Sequence, residues 1–289
     1  MPSRPLNTQA INNNLPTCKI KPSAFVYVAL ACEAKPFIEY FRLKKDQSIA
    51  CFAVYVNDDI CLTITGVGKI AMAAGVAYTQ ALFASAQQPV MLNVGIAGHR
   101  SEEIGNLLLI DKLEDCDTGR RFYPPLIFTS PCPTRGLQTH AKPQTRYHPT
   151  HLCDMEASAF YETAIRFSTG ELIQCLKVVS DNETSLAQNI SPQWVTRLIG
   201  AQLHTIECIL AELTKLAGLL SSPELPEFNS LVSCYHFSAT EKIQLKKLLS
   251  RRALVKGRDS LEFDDATAQN GKELLRLLEK QLERMAFYL

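Results

Sequence analysis

The sequence predicts an α/β protein: a three-layer α/β/α sandwich around a central, mostly parallel mixed sheet, with a small C-terminal helical extension. Runs such as AFVYVALAC (24–32), PVMLNVGIAG (89–98) and LIQCLKVVSD (172–181) are continuously apolar and β-rich, which suits strands covered on both faces. Segments with helical spacing separate them, and strands alternating with helices build layered α/β domains. At 289 residues, the chain has room for one large core and an appendage.

Residues 1–22 are polar and Asn-rich and lack hydrophobic periodicity, so they read as a disordered or loosely attached lead. The first strand follows, and then a helix in AKPFIEYFRLKK, with Phe37, Tyr40 and Phe41 on one side and Pro36 in the first turn. IACFAVYV and DICLTITGVG are separated by Asn57-Asp58-Asp59 and read as a hairpin. A helix of small residues runs from Lys69 to about residue 86, ahead of strands in 89–98 and GNLLLIDKLED. Residues 116–150 are dense in Pro, Thr, Arg and His and read as irregular, with one short strand near PLIF. A helix in MEASAFYETAIRF, the strand LIQCLKVVSD and a helix from about 191 to 217 complete a main domain over residues 23–220. The prolines of SSPELPEFN mark a boundary. Within 221–289, helices are expected over about 238–252 and 266–287.

Composition narrows the function. The chain is 46% hydrophobic and 20% charged with a formal net charge of +1, so no broad electropositive surface is available and nucleic acid is a poor partner. The basic stretch KKLLSRR reads as the solvated side of a helical pair. Ten cysteines are scattered through the chain with no C-x-x-C pair, so neither a zinc site nor a dithiol is expected; they read as reduced, packed thiols of a cytoplasmic protein. No apolar stretch suits a signal peptide or approaches the ~20 residues that span a bilayer.

In open parallel sheets the ligand lies beyond the carboxyl ends of the strands. Four such ends are polar or glycine-rich: CEAK, TGVGK, NVGIAG and VVSDNE. Gly66-Val67-Gly68-Lys69 can cradle an anion on backbone N–H groups at a helix start, or the glycines can serve only a tight turn. It lacks the third glycine of a dinucleotide fingerprint and the G-K-[ST] of a Walker loop.

Taken in order across residues 24–217, TGVGKIAMAAG, LNVGIAG, CDMEASAF and LKVVSDNE resemble the motifs of the nucleoside phosphorylases and nucleosidases, nearest the methylthioadenosine/S-adenosylhomocysteine nucleosidase branch. The resemblance implies a nucleoside phosphorylase-like fold and cleavage of a purine N-glycosidic bond in a nucleoside or modified nucleoside. It also implies a homodimer or larger homo-oligomer and no cofactor, with water or phosphate as the second substrate. Such cleavage makes the sugar oxocarbenium-like and pushes negative charge onto the base, so an acid near the ring nitrogen lowers the barrier. Asp181 is the candidate acid, at the end of an apolar strand where burial disfavours charge; it can equally cap a following helix. Asn182 is expected to orient it. Glu156 is assigned the ribose hydroxyls, Met155 the floor under the sugar and Asp154 support from behind, although DMEA also fits an ordinary helix start. Gly66, Gly68, Gly95, Ala97, Gly98, Val179 and Ser180 complete the expected substrate-binding set.

Two departures fall on the nucleophile's side. Where the nucleosidases place a water-positioning glutamate, the alignment puts Lys35, with Glu33 two residues earlier as the substitute base. Where a serine is common, Ile96 stands. Lys35 can hold a phosphate or substrate anion, with Lys69, His99 and Arg100 as further candidates, or it can be a solvated lysine at a helix start. The 116–150 stretch is shorter than its nucleosidase counterpart, with Thr139, His140 and Ala141 as candidates for the base slot. A rival reading is a catalytically altered nucleoside-binding or regulatory protein on the same scaffold.

Overall fold

A computed structural model describes residues 22–83, 88–144, 147–185, 190–220, 226–256 and 268–286. Most of the expected N-terminal lead lies outside them, as do the expected ends of the helices at 84–86, 266–267 and 287. The elements divide after Leu220 into two units.

In the first unit the elements are β1 (Ala24–Val28), α1 (Ala31–Tyr40), β2 (Lys44–Lys45), β3 (Ala53–Val56), β4 (Ile60–Ile64), α2 (Lys69–Phe83), β5 (Val90–Gly98), β6 (Leu107–Asp115), β7 (Arg121–Phe122), β8 (Thr134–Thr139), β9 (His151–Asp154), α3 (Ala157–Ala164), β10 (Ile173–Asp181), α4 (Pro192–Ala201) and α5 (Leu203–Leu220). They form one ten-stranded sheet in the order β10-β6-β8-β9-β5-β1-β4-β3-β2, with β7 beside β6. β10 also pairs in parallel with β5. The strands β5, β10, β6, β8 and β9 therefore close on themselves as a ring. β1 pairs in parallel with β4 and β5, so the sheet leaves the ring through β5 and ends in the β3–β4 hairpin and β2.

Period-2 alternation assigns the two faces. Val26, Val28, Leu92, Val94, Leu176 and Val178 face a core completed by Phe37 of α1, Val195 and Ile199 of α4, and Ile206 and Ile209 of α5. Their neighbours Phe25, Tyr27, Met91, Cys175 and Val179 face the other core, with Met72 and Val76 of α2 and Phe160 of α3. Burying each such side chain is worth about 1.5–3 kcal/mol, and covering both faces explains why these strands read as unbroken apolar runs.

The sheet is mixed and mostly parallel, as expected, with the long ladders β1–β4, β1–β5, β10–β5, β6–β8 and β8–β9 parallel; the ring closes through the antiparallel pairs β10–β6 and β5–β9. Several expectations are corrected. The 116–150 stretch holds β7 and β8, while PLIF is not a strand. Helix α1 begins at Ala31, so β1 stops four residues before Cys32. The expected 191–217 helix is two, broken at Gln202. The strand expected over 89–98 is present as β5, which runs through Gly98.

The second unit contains α6 (Pro226–Cys234), α7 (Ala239–Lys256) and α8 (Gly271–Ala286). Leu231, Phe237, Leu245, Leu249, Leu274 and Leu278 form its core. Helix α6 was not expected; it starts at the second proline of the boundary motif, a residue tolerated in a first helical turn.

Candidate active site

Four elements of the first unit bring carboxyl groups to a cavity of about 190 Å³. The first turn of α1 supplies Glu33, the end of β9 supplies Asp154, the start of α3 supplies Glu156 and the end of β10 supplies Asp181; all four line it. Apolar walls come from Leu30, Val67, Ile96, Met155 and Ile190.

Glu33 is only 2% exposed. It stands in the first turn of α1, where helix N–H groups lack intrahelical partners. One carboxylate oxygen accepts from the N–H groups of Ala29 and Leu30, both at 2.9 Å, and the other from Ile96 N–H of β5, also at 2.9 Å. Of roughly four acceptor positions on a carboxylate, three are filled. Burial raises its pKa, against the opposing influence of Lys177 and the three N–H donors.

Lys177, in mid β10, is 1% exposed and lies 2.9 Å from Asp154. Burial works against its charge, but Asp154 and Glu156 outweigh that and raise its pKa, so it stays an ammonium. Asp154 also accepts from Thr139 Oγ1 at 2.7 Å and from Ala157 N–H at 2.8 Å. The lysine is thus the counter-ion beneath an otherwise acidic cavity. The sequence reading missed it, although one charged residue inside a run expected to be buried on both faces is a signal that it must be paired.

Glu156 Oε1 accepts the Gly68 N–H at 2.7 Å. Gly68 has φ +101°, a conformation costly for any residue with a Cβ, and it aims its N–H at the carboxylate. Burial, and then the negative charge of Asp154, push the Glu156 pKa up to about 7. The glycine turn therefore presents its N–H to a side chain of the protein itself, and the anion-cradle reading of 66–69 is corrected. Lys69 is likewise engaged, 3.0 Å from Asp115 and in contact with Asp117.

Asp181 is 5% exposed. Its Oδ1 accepts the Ser180 hydroxyl and its Oδ2 the Tyr147 hydroxyl. It pairs in register with Gly98 of β5, where an added Cβ would lie 2.5 Å from Tyr147 Cε1 and 2.7 Å from Asp181 Oδ2. Only glycine leaves both groups their places. Tyr147 and Cys153, which packs against Gly98 and Asp181 and whose thiol burial drives up to about 12, carried no sequence signal.

The remaining expected residues are dispersed as follows. Ala97, Gly98, Met155 and Ser180 line the cavity, whereas Gly66, Gly95, Val179 and Asn182 are not part of its lining. Gly95 lies behind it against Glu33 and Lys177, and Val179 is core. Asn182 does not orient Asp181: its side chain holds the Glu102 carbonyl and the N–H groups of Thr184 and Ser185. Lys35 is exposed and off the cavity, because two helical residues, about half a turn, carry it to the outer side, whereas Glu33 lines the cavity. Arg100 pairs with Glu183. His99 Nδ1 accepts the N–H groups of Ser101 and Glu102. Thr139 is spent on Asp154, His140 touches Cys116, and Ala141 is exposed. Among the described residues, no Lys or Arg lines the cavity, no cluster of three His, Cys, Asp or Glu fits a metal, and no helix is long and apolar enough to cross a membrane.

This architecture is the nucleoside phosphorylase and nucleosidase fold. The Arabidopsis thaliana 5′-methylthioadenosine nucleosidase in apo form superposes with a TM-score of 0.53 at 17% identity, over 68% of this chain and 97% of its own. An MTA/SAH nucleosidase gives 0.52 at 16% identity, over 65% and 96%. The Campylobacter jejuni 5′-methylthioadenosine/S-adenosyl homocysteine nucleosidase gives 0.50 at 16%, over 64% and 96%. No family model matches the sequence, and no curated protein does.

Proposed function

We propose that the chain hydrolyses the N-glycosidic bond of a purine nucleoside or modified nucleoside. The observation that carries this reading is the convergence of Glu33, Glu156 and Asp181 on one cavity whose described lining holds no cation. A ring of carboxyl groups opposes phosphate but stabilises an oxocarbenium-like sugar, whose positive charge develops only as the bond breaks. Water is therefore the nucleophile favoured here over phosphate.

Each group has one task. Glu156, oriented by Gly68 N–H, accepts hydrogen bonds from the ribose hydroxyls, with Met155 beside the sugar. Glu33, with one acceptor position left, orients water and takes its proton as the water oxygen bonds to the anomeric carbon. The electron pair of the C–N bond passes to the base, which leaves with a proton from Asp181. Lys177 and Asp154 hold the carboxyl groups from behind. The structural neighbours' names supply the first substrates to try, 5′-methylthioadenosine and S-adenosylhomocysteine, beside adenosine and inosine.

The purified protein, incubated with these four nucleosides with and without phosphate, is expected to release free base and free sugar at a rate that phosphate does not change. Phosphate-dependent release of a sugar 1-phosphate would identify a phosphorylase. Binding without turnover under any condition would favour the rival, a nucleoside-binding protein on this scaffold.

A further inference from the structure

We infer that His148 and His151, at the entry to β9, form a binding site for a divalent ion of the zinc, copper and nickel class. The site stands apart from the glycosidic chemistry, since neither histidine lines the cavity. Three donor atoms meet there. His151 Nδ1 lies 3.1 Å from His148 Nδ1, and Thr150 Oγ1 lies 2.9 Å from the former and 3.2 Å from the latter. An ion about 2.0–2.1 Å from each of two donors holds them roughly 2.8–3.4 Å apart, from octahedral to tetrahedral angles. All three separations fall in that range.

Hydrogen bonding accounts for only part of this triangle. His148 Nδ1 accepts the Thr150 N–H at 3.2 Å, so it carries no hydrogen. The Thr150 hydroxyl supplies one hydrogen and His151 Nδ1 at most one. At least one of the three edges therefore sets lone pair against lone pair, a repulsion that a cation between them turns into attraction. On loading, His151 carries its hydrogen on Nε2, the threonine O–H turns outward, and His148 releases a long bond to Thr150 N–H, which water takes because Thr150 is exposed. The fold sets one ligand in place beforehand. His151 pairs in register with Gly136 of β8, where an added Cβ would stand 2.5 Å from its Cδ2 and 2.8 Å from its Nε2. The bare glycine thus seats that edge of the ring and leaves Nδ1 to face His148. Of the charges that β6 brings near His151, Asp111 and Glu114 attract a cation and Lys112 repels it. Imidazole nitrogens select zinc, copper or nickel over magnesium and calcium, which take oxygen ligands. Two histidines are fewer ligands than a structural zinc site uses, so water completes the coordination and the ion exchanges with solution.

The test is a calorimetric titration of zinc chloride into the full chain and into His148→Ala, His151→Ala and His140→Ala, each first checked by thermal melting. His140, which touches Cys116, controls for a histidine beside a thiol. Wild type and His140→Ala are expected to bind zinc alike, and magnesium chloride in its place should give no binding. His148→Ala and His151→Ala should each weaken zinc binding at least about tenfold, since losing even a supporting partner of a metal ligand has that effect. His148 is exposed, so that variant decides the matter if His151→Ala fails to fold. Zinc binding by His148→Ala equal to that of wild type would overturn the site, as would its loss in His140→Ala or its absence in wild type.

Discussion

Asp181 and Glu156 are both buried acids, and different surroundings fit them to opposite tasks. Asp181 meets two hydroxyl groups, whereas Glu156 meets a backbone N–H and the charge of a neighbouring carboxylate. Asp181→Asn keeps the shape and removes the proton, so base release should fall about 10²- to 10⁴-fold with the melting temperature little changed; activity within twofold of wild type would remove Asp181 from the mechanism. Glu156 makes a pH prediction. Its pKa is raised to about 7, so the folded protein keeps a proton that the unfolded chain has already released above the ordinary carboxyl range. The stability attached to that proton is complete at low pH and is lost as pH climbs through about 7. Glu156→Gln is therefore expected to raise the melting temperature by roughly 5 °C at pH 8 and to change it little at pH 4.5. If Glu156 holds the ribose as proposed, nucleoside affinity of the wild type should strengthen over the same rise, as its carboxylate becomes charged.

At the scale of elements, the β5–β10 pair is the frame of the site. Its parallel register sets Lys177 opposite Gly95 and Asp181 opposite Gly98, so each glycine faces an ionisable side chain that needs its space. Lys177→Met should destabilise the fold by about 3–5 kcal/mol, because the buried Asp154 loses its counter-ion; chemical denaturation measures this. Adding Asp154→Asn should recover much of the loss. The strands, their order of appearance and the acids at their ends were legible in the sequence, since two-sided burial and strand-end polarity are local patterns. The ring was not, because closure depends on the antiparallel β10–β6 and β5–β9 pairings, and β8 is a short strand in a Pro- and Thr-rich stretch. Lys35 and Glu33 were confused for a related reason. Two residues of helix separate the outer side from the inner, and only the start of α1 decides which is which.

For the whole molecule, the cavity lining and both sheet-facing cores belong to the unit ending at Leu220, and α6–α8 have an apolar core of their own. Residues 1–220 produced alone should fold cooperatively and keep full glycosidase activity; calorimetry and the base-release assay check this. A soluble but inactive fragment would tie residues 221–289 to the chemistry. The division after Leu220 was readable from two prolines and a break in periodicity, but the core of the second unit was not, since it depends on α6. All nine residues of β10 are buried, and the same strand carries both the ammonium under the cavity and the acid in it. Amide protons there should be among the last to exchange with heavy water, opening only with global unfolding. A bound nucleoside would then leave its mark on exchange at the turn around Gly68 and the segment near Tyr147, while the strand that bears the acid stays silent.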